Sequence, residues 1–151
     1  TPQSLTILNV KRHARELLDE LADPDALHLS TLLCGAHRAQ VLREVKERLI
    51  SGKPCRLVAT QVVEAGVDLD FPVVFRALGP VDSMIQAAGR CNREGRLGHR
   101  GQMVVFETPD GALPPGLYKT AADLAACMLV FNFCSHPRYA ATMELAIWRC
   151  G

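Results

Sequence analysis

The sequence predicts an α/β chain with a mostly parallel central sheet and helices on both faces. Short runs of β-branched and apolar residues alternate with stretches that are apolar at helical spacing. The runs at 55–60, 71–78 and 101–107 are almost continuously apolar, as strands buried on both faces are. A length of 151 residues with 48% hydrophobic content suits one real core rather than two complete domains.

Each element follows from its own pattern. "SLTILNV" (4–10) reads as a strand, and "KRHARELLDEL" (11–21) as a helix carried by Ala14, Leu17, Leu18 and Leu21. "ALHLST" (26–31) is a second short strand. A second helix, 37–51, rests on Val41, Leu42, Val45 and Leu49 and stops at Gly52-Lys53-Pro54, since a Gly past the end followed by Pro ends a helix. After the third strand (55–60) and the fourth (71–78), Asp82 can cap a helix that begins at Ser83. The fifth strand is 101–107, followed by a proline-rich loop and a helical "LYKTAADLAACMLVFNF" that suits a core or domain interface. The tail from Pro137 carries no legible pattern. The expected division is a core at 1–108, with a loop and C-terminal helices at 109–151 packing on it or extending from it.

Composition excludes several classes. A formal charge of +1 leaves no global Lys and Arg excess to coat nucleic acid, so any phosphate chemistry must be local. Six cysteines form no CxxC pair and no zinc-like cluster, which points to free thiols in a reducing cytoplasm and to no metal site. Cys91 reads as a small packing residue, and His28, His37, His99 and His136 are too scattered to be ligands. No apolar run approaches the roughly 20 residues of a membrane span, so no membrane is expected as a partner. The opening on Thr1 and a strand-like segment reads as a piece of something larger.

In open parallel sheets, ligands bind beyond the carboxyl ends of the strands. Asn9, Ser30, Thr31, Thr60, Gln61 and Gly79-Pro80 fall at those ends and suit phosphate oxygens, although any one of them alone could simply cap a helix. "QAAGRCNREGR" (86–96) adds charge. If 83–94 is helical, Gln86, Arg90 and Arg93 sit at i, i+4 and i+7 and share one face, with Gly89 leaving room for a ligand or another backbone. Guanidinium groups suit phosphate, but an Arg-rich helix end pairing with Glu94 and the dipole explains this stretch as well. In "TQVVEAGVDLDF" (60–71), Glu64 and Asp68 flank Gly66, whose freedom permits a sharp turn, and a carboxylate at the rim could accept from a ribose hydroxyl or pair with an Arg. Asp68 and Asp70 also fit plain turn formers.

Taken together, these segments resemble the second RecA-like domain of superfamily 2 helicases, a three-layer sandwich. "VATQVVEAGVDLDF" resembles motif V, and "QAAGRCNREGR" fits the motif VI pattern of Gln, two residues, Gly-Arg, two residues, Arg. Within that superfamily the wording is most similar to the helicase–nuclease of type I CRISPR systems, and the resemblance extends to about Ala126. It implies that Arg90 and Arg93 are arginine fingers for the γ-phosphate of ATP with Gln86 beside them. It also implies that Gly66, Asp68 and Gly89 face the nucleotide, and that Asn9, Thr31, Thr60 and Gln61 hold single-stranded DNA, with Arg38 at a nucleic-acid or inter-motif position. No GxxxxGK[ST] loop and no Asp-Glu strand is present, so the phosphate loop and the Mg2+ ligands are expected on an N-terminal RecA-like domain of the same protein. A nuclease domain and the CRISPR surveillance complex are the other implied partners. The chain alone is expected to be inactive. Two other readings stay open: an RNA or DNA-repair helicase domain of the same superfamily, and a non-catalytic RecA-like adaptor that binds nucleic acid.

Overall fold

A computed structural model describes residues 2–63, 67–95, 97–131 and 143–148, with the backbone alone for 128–131 and 143–148. The expectations placed on Glu64, Gly66, Arg96, His136, Cys134 and Cys150 lie outside the described residues. The elements run β1 (Gln3–Ile7), α1 (Lys11–Leu21), β2 (Leu27–Leu29), α2 (Gly35–Ile50), β3 (Cys55–Ala59), a 3-10 turn (Gln61–Val63), β4 (Val73–Ala77), α3 (Val81–Ala88), β5 (Gly101–Phe106), α4 (Leu117–Phe131) and β6 (Met143–Trp148). The strands form a six-stranded sheet in the order β2-β3-β1-β4-β5-β6, every neighbouring pair parallel.

Two cores lie on opposite faces of this sheet. Leu5, Ile7, Leu57, Val74 and Met103 project toward α2, α3 and α4 and meet Val45, Met84, Ala87 and Ala125 in the larger cluster. The smaller cluster, Leu8, Ala14, Val58 and Ala77 with Leu17, Leu18 and Phe106, lies under α1. Apolar strands with alternate residues feeding separate cores are what a layered α/β fold requires.

The stop after α2 is built as its sequence implies. Gly52 takes a φ of 68°, and Lys53 N–H returns to Arg48 C=O at 3.0 Å, a Gly-dependent helix end. Gln3 donates its side-chain amide to the carbonyls of Arg48 and Lys53 at 3.2 and 2.9 Å, which fixes that end on β1.

Three expectations are corrected. Asp82 is not the cap of α3: Pro80 is, and Asp82 sits in the first turn, where its charge favours the helix N-terminus. The tail contributes β6 to the sheet edge, paired with β5 from Gly101↔Met143 to Phe106↔Trp148. The helix expected over 83–94 stops at Ala88, because Cys91 bridges to Phe71 ahead of β4. Phe71 N–H donates to Arg90 C=O at 2.8 Å and Asn92 N–H to Phe71 C=O at 2.9 Å. Phe71 and Cys91 are both buried, so this tie outweighs further helix.

Candidate functional site

The chain leaves α3 through a turn rather than a helix face. Asn92 holds a left-handed φ of 44°, a conformation Asn tolerates because its side chain bonds locally. That side chain donates to His99 C=O at 2.9 Å and accepts from Leu97 N–H at 3.4 Å. The column of Gln86, Arg90 and Arg93 expected on one helix is therefore absent, and Gln86 alone of the three lies on α3, exposed. Gly89 is the C-cap, and a Cβ there would meet only its own helix's carbonyl of Gln86 at 3.3 Å and that of Ile85 at 3.6 Å. The glycine that a close approach demands is Gly101. A Cβ on it would lie 2.6 Å from Asn92 Cβ and 2.8 Å from Cys91 Sγ, so the start of β5 is pressed onto this turn.

Tertiary contacts gather the two arginines instead. Arg93 donates from Nη1 to Asp68 Oδ1 at 2.8 Å, while Arg93 N–H and Glu94 N–H donate to the Asp70 carboxylate at 2.7 and 3.3 Å. Arg90 reaches from Nε to Val63 C=O at 3.2 Å. Partial burial, and then the positive charge of Arg93, hold the Arg90 guanidinium below its ordinary pKa, with Asp68 acting the other way. A guanidinium starts so high that it stays charged regardless. Side-chain exposures of 50% for Arg93 and 72% for Asp68 leave their pair open to solvent. Asp70 organises the turn; Arg93 and Asp68 face outward from it. The cluster borders a cavity of about 320 Å3 lined by Asp68, Asp70, Phe71, Asn92 and Glu94 among others.

This cluster is not on the strand-end rim where Asp68 was expected. α3 runs back from the carboxyl end of β4, and the Phe71–Cys91 bridge precedes the first residue of β4, so the turn lies by the amino end of that strand. The rim itself is only partly available. Asn9 is 7% exposed; its Oδ1 accepts from Arg76 Nη1 and from the Tyr118 hydroxyl, both at 2.7 Å. Its Nδ2 donates to Leu78 C=O at 2.6 Å. Thr60 is 4% exposed and its backbone bridges Leu29 and Val63. Gln61 donates its side-chain amide to Asn9 C=O at 3.0 Å. Of the five residues expected to hold nucleic acid, Thr31 is exposed and Arg38, in the first turn of α2, is partly so. Asn9 instead serves the protein's interior.

Arg76, fully buried on β4, is what the sequence reading missed. It donates to Ala77 C=O at 2.6 Å and to the Tyr118 hydroxyl at 3.1 Å as well as to Asn9. The same crowding leaves Gly79 no space, since a Cβ would lie 2.8 Å from the Tyr118 hydroxyl. One buried network thus joins the end of β1, the 3-10 turn through Gln61, the lead into α3 and α4. An arginine inside "FPVVFRAL" was a visible signal, because charge within a central strand requires buried partners. Among the described residues no group of His, Cys, Asp and Glu is arranged to hold a metal ion, and no helix is long and apolar enough to cross a membrane.

Comparison with known proteins shows what the chain is similar to. A family model described as CRISPR-associated nuclease/helicase Cas3, C-terminal, matches residues 3–96. The CRISPR-associated nuclease/helicase Cas3 of Haloferax volcanii is 46% identical over 70 residues, 46% of this chain and 8% of that protein. That of Methanothermobacter thermautotrophicus is 34% identical over 90 residues, covering 59% and 11%. Among solved structures, T. fusca Cas3 with ATP superposes with a TM-score of 0.61 at 27% identity over 80% of this chain and 16% of that one. A chain of a CRISPR RNA-guided surveillance complex, pre-nicking, does so with 0.58 at 27% identity over 81% and 17%. The C-terminal domain of the DEAD-box protein Dbp5, at 16% identity, TM-score 0.60 and coverage of 97% and 74%, shares the RecA-like fold. The chain spans about a tenth of the length of the curated relatives named.

Proposed function

The chain belongs to the family of CRISPR-associated nuclease/helicase Cas3, C-terminal, and on that premise we propose that it is the C-terminal motor domain of an ATP-dependent single-stranded-DNA translocase acting in CRISPR interference. The observation that carries this reading is Arg93, half exposed and held on one turn beside Arg90, its guanidinium paired among the described residues with solvent-open Asp68. A guanidinium restrained so lightly is available to a phosphate presented by a neighbouring lobe.

The residues present fit the phosphate and ribose edge of a nucleotide. An exposed ion pair is worth about 0.2–1 kcal/mol, and a bidentate guanidinium–phosphate contact is stronger, so Arg93 exchanges Asp68 for phosphate at little cost. Asp68 is then free to accept a ribose hydroxyl. Arg90, anchored to Val63 C=O, moves less and keeps a second charge close by. Gln86, exposed on the last turn of α3, would offer an amide. ATP with Mg2+ would supply the transferable phosphoryl group, its phosphate loop and metal ligands belonging to the N-terminal RecA-like domain. Thr31 and Arg38 would touch the phosphates of the strand. The nuclease domain of the same protein and the surveillance complex complete the proposed assembly, in the cytoplasm.

The test is Arg93→Ala in the full-length protein, with ATP turnover and DNA unwinding measured beside the melting temperature. An arginine finger contributes on the order of 10³–10⁵ in rate, so turnover should fall at least that far while melting stays within a degree or two. Unchanged turnover would instead mark a non-catalytic adaptor, and unwinding of RNA in preference to DNA would move the domain to another branch of the superfamily.

A further inference from the structure

The two faces of the sheet are covered unequally. The connection from β1 to β2 runs one way along the strand order, and those through α2, α3 and α4 run the other way. Parallel crossovers are right-handed, which puts α1 on one face and α2, α3 and α4 on the other, in agreement with the two cores. On α1's face β4 and β5 join the α1 cluster only at their carboxyl ends, through Ala77 and Phe106. Phe75 and Val104 are only partly buried and belong to neither core, and β5 alternates between buried Met103 and Val105 on one face and partly buried Val104 and Phe106 on the other. Phe75, Val104 and Phe106 floor a groove of about 620 Å3, walled by His13, Glu16 and Glu20 from α1.

Parallel sheets are almost always covered on both faces, and an apolar patch of this kind on a soluble domain marks an interaction site. Neighbouring strands stand about 4.8 Å apart. β5 lies three strands from β3, against which α1 packs through Val58 and Ala14. That offset of about 14 Å leaves room beside α1 for one helix of about 10 Å diameter. The wall facing that space carries Glu16 and Glu20, while nearby Asp110 is held by Arg12 and by His13, and Arg12 stands 3.8 Å from Glu16. Arg15 lies on the other side of α1, against Asp19 and His28.

We propose that the groove seats an amphipathic helix from another part of the same polypeptide, its apolar stripe on Phe75, Val104 and Phe106 and a Lys- or Arg-bearing flank against Glu16 and Glu20. A sheet face this apolar requires a constant cover rather than a transient one, and the stretches matched make up only 8% and 11% of the relatives named. The inference does not depend on the motor reading.

A photo-crosslinking amino acid at position 104 of the full-length protein, followed by peptide mass spectrometry, identifies the occupant. The expected product is an intramolecular crosslink to one segment outside these 151 residues, apolar at helical spacing and flanked by Lys or Arg. Val104→Asp should lower the melting temperature by about 5 °C or more. The double reversal Glu16→Lys with Glu20→Lys should lower it more at low salt than at high salt, since screening weakens surface charge pairs. Crosslinks between two copies, a crosslink confined to these 151 residues, or no crosslink together with an unaltered Val104→Asp would each overturn the proposal.

Discussion

Tyr118 shows how one hydroxyl can hold distant segments together. It donates to Asn9 Oδ1 and accepts from Arg76, at the centre of the network under Gly79. Tyr118→Phe keeps the ring and removes only those bonds, so it should cost about 1–3 kcal/mol, read as a lower denaturation midpoint with an unchanged slope. No loss would mean that Arg76 is satisfied without the hydroxyl. Cysteines give a second residue-scale test. Burial, then the charge of Asp70, pushes the Cys91 thiol up to about 12, and burial also raises Cys55. Since the thiolate is the nucleophile, Cys91 stays protonated at pH 8 to 9, Cys55 is sealed from solvent, and both should resist iodoacetamide in the folded protein, whereas exposed Cys34 and Cys127 are modified. Native labelling of Cys91 would contradict the buried bridge to Phe71. As pH rises from about 9 toward 12, the unfolded thiol ionises and the folded one does not, so this group's contribution to stability is lost across that window. The packing role expected for Cys91 fits its burial, although its sequence neighbours are Arg90 and Asn92. The internal use of Asn9 was not legible, because nothing local in the sequence shows that Arg76 lies across from it.

The elements themselves were legible wherever period and punctuation agreed. α1 spans the same residues as its pattern, and α2 ends at the glycine that signals it. Two failures have physical causes. "MELAIW" consists largely of residues as comfortable in helix as in strand, so only pairing with β5 decides it. The stretch after α3 looked helical because Gln86, Arg90 and Arg93 keep helical spacing, yet a long-range bridge from Phe71 overrides local periodicity. Tertiary context commonly outweighs propensity in this way. Gly101→Ala tests the arrangement at element scale. A Cβ would press on Asn92 Cβ and Cys91 Sγ, atoms that cannot swing aside as a flexible chain end could. The turn must shift, costing about 1–3 kcal/mol, or a drop in melting temperature of about 2–12 °C for a domain of this size. Because Arg90 and Arg93 ride on that turn, ATP turnover of the full-length protein should fall with it. Full activity would place the arginines' positioning elsewhere.

Across the whole molecule, the fold sets the two proposed surfaces at opposite ends of the strands. The rule that polar residues collect at the carboxyl ends of parallel strands put Thr31 past the end of β2, where it lies, but it could not place Asp68, which travels with the chain toward the amino end of β4 before pairing with Arg93. A sequence shows which strand end a residue follows, not how far the connection runs back. The separation predicts that strand binding and phosphoryl transfer fail independently in the full-length protein. Arg38 lies in the first turn of α2, beside exposed Thr31 and away from the arginine turn. If it neutralises one phosphate of a single strand, Arg38→Ala should flatten the slope of log K against log salt by about 0.7 and raise the DNA concentration needed for half-maximal ATPase. That deficit should be recovered by adding more DNA. Arg93→Ala should leave the salt slope unaltered and its loss of turnover should persist at saturating DNA. Fluorescence anisotropy with a labelled oligonucleotide across a salt series, run beside steady-state ATPase, separates the two variants. A changed salt slope in Arg93→Ala would mean that the arginine turn also touches the strand, and the two surfaces would then be one.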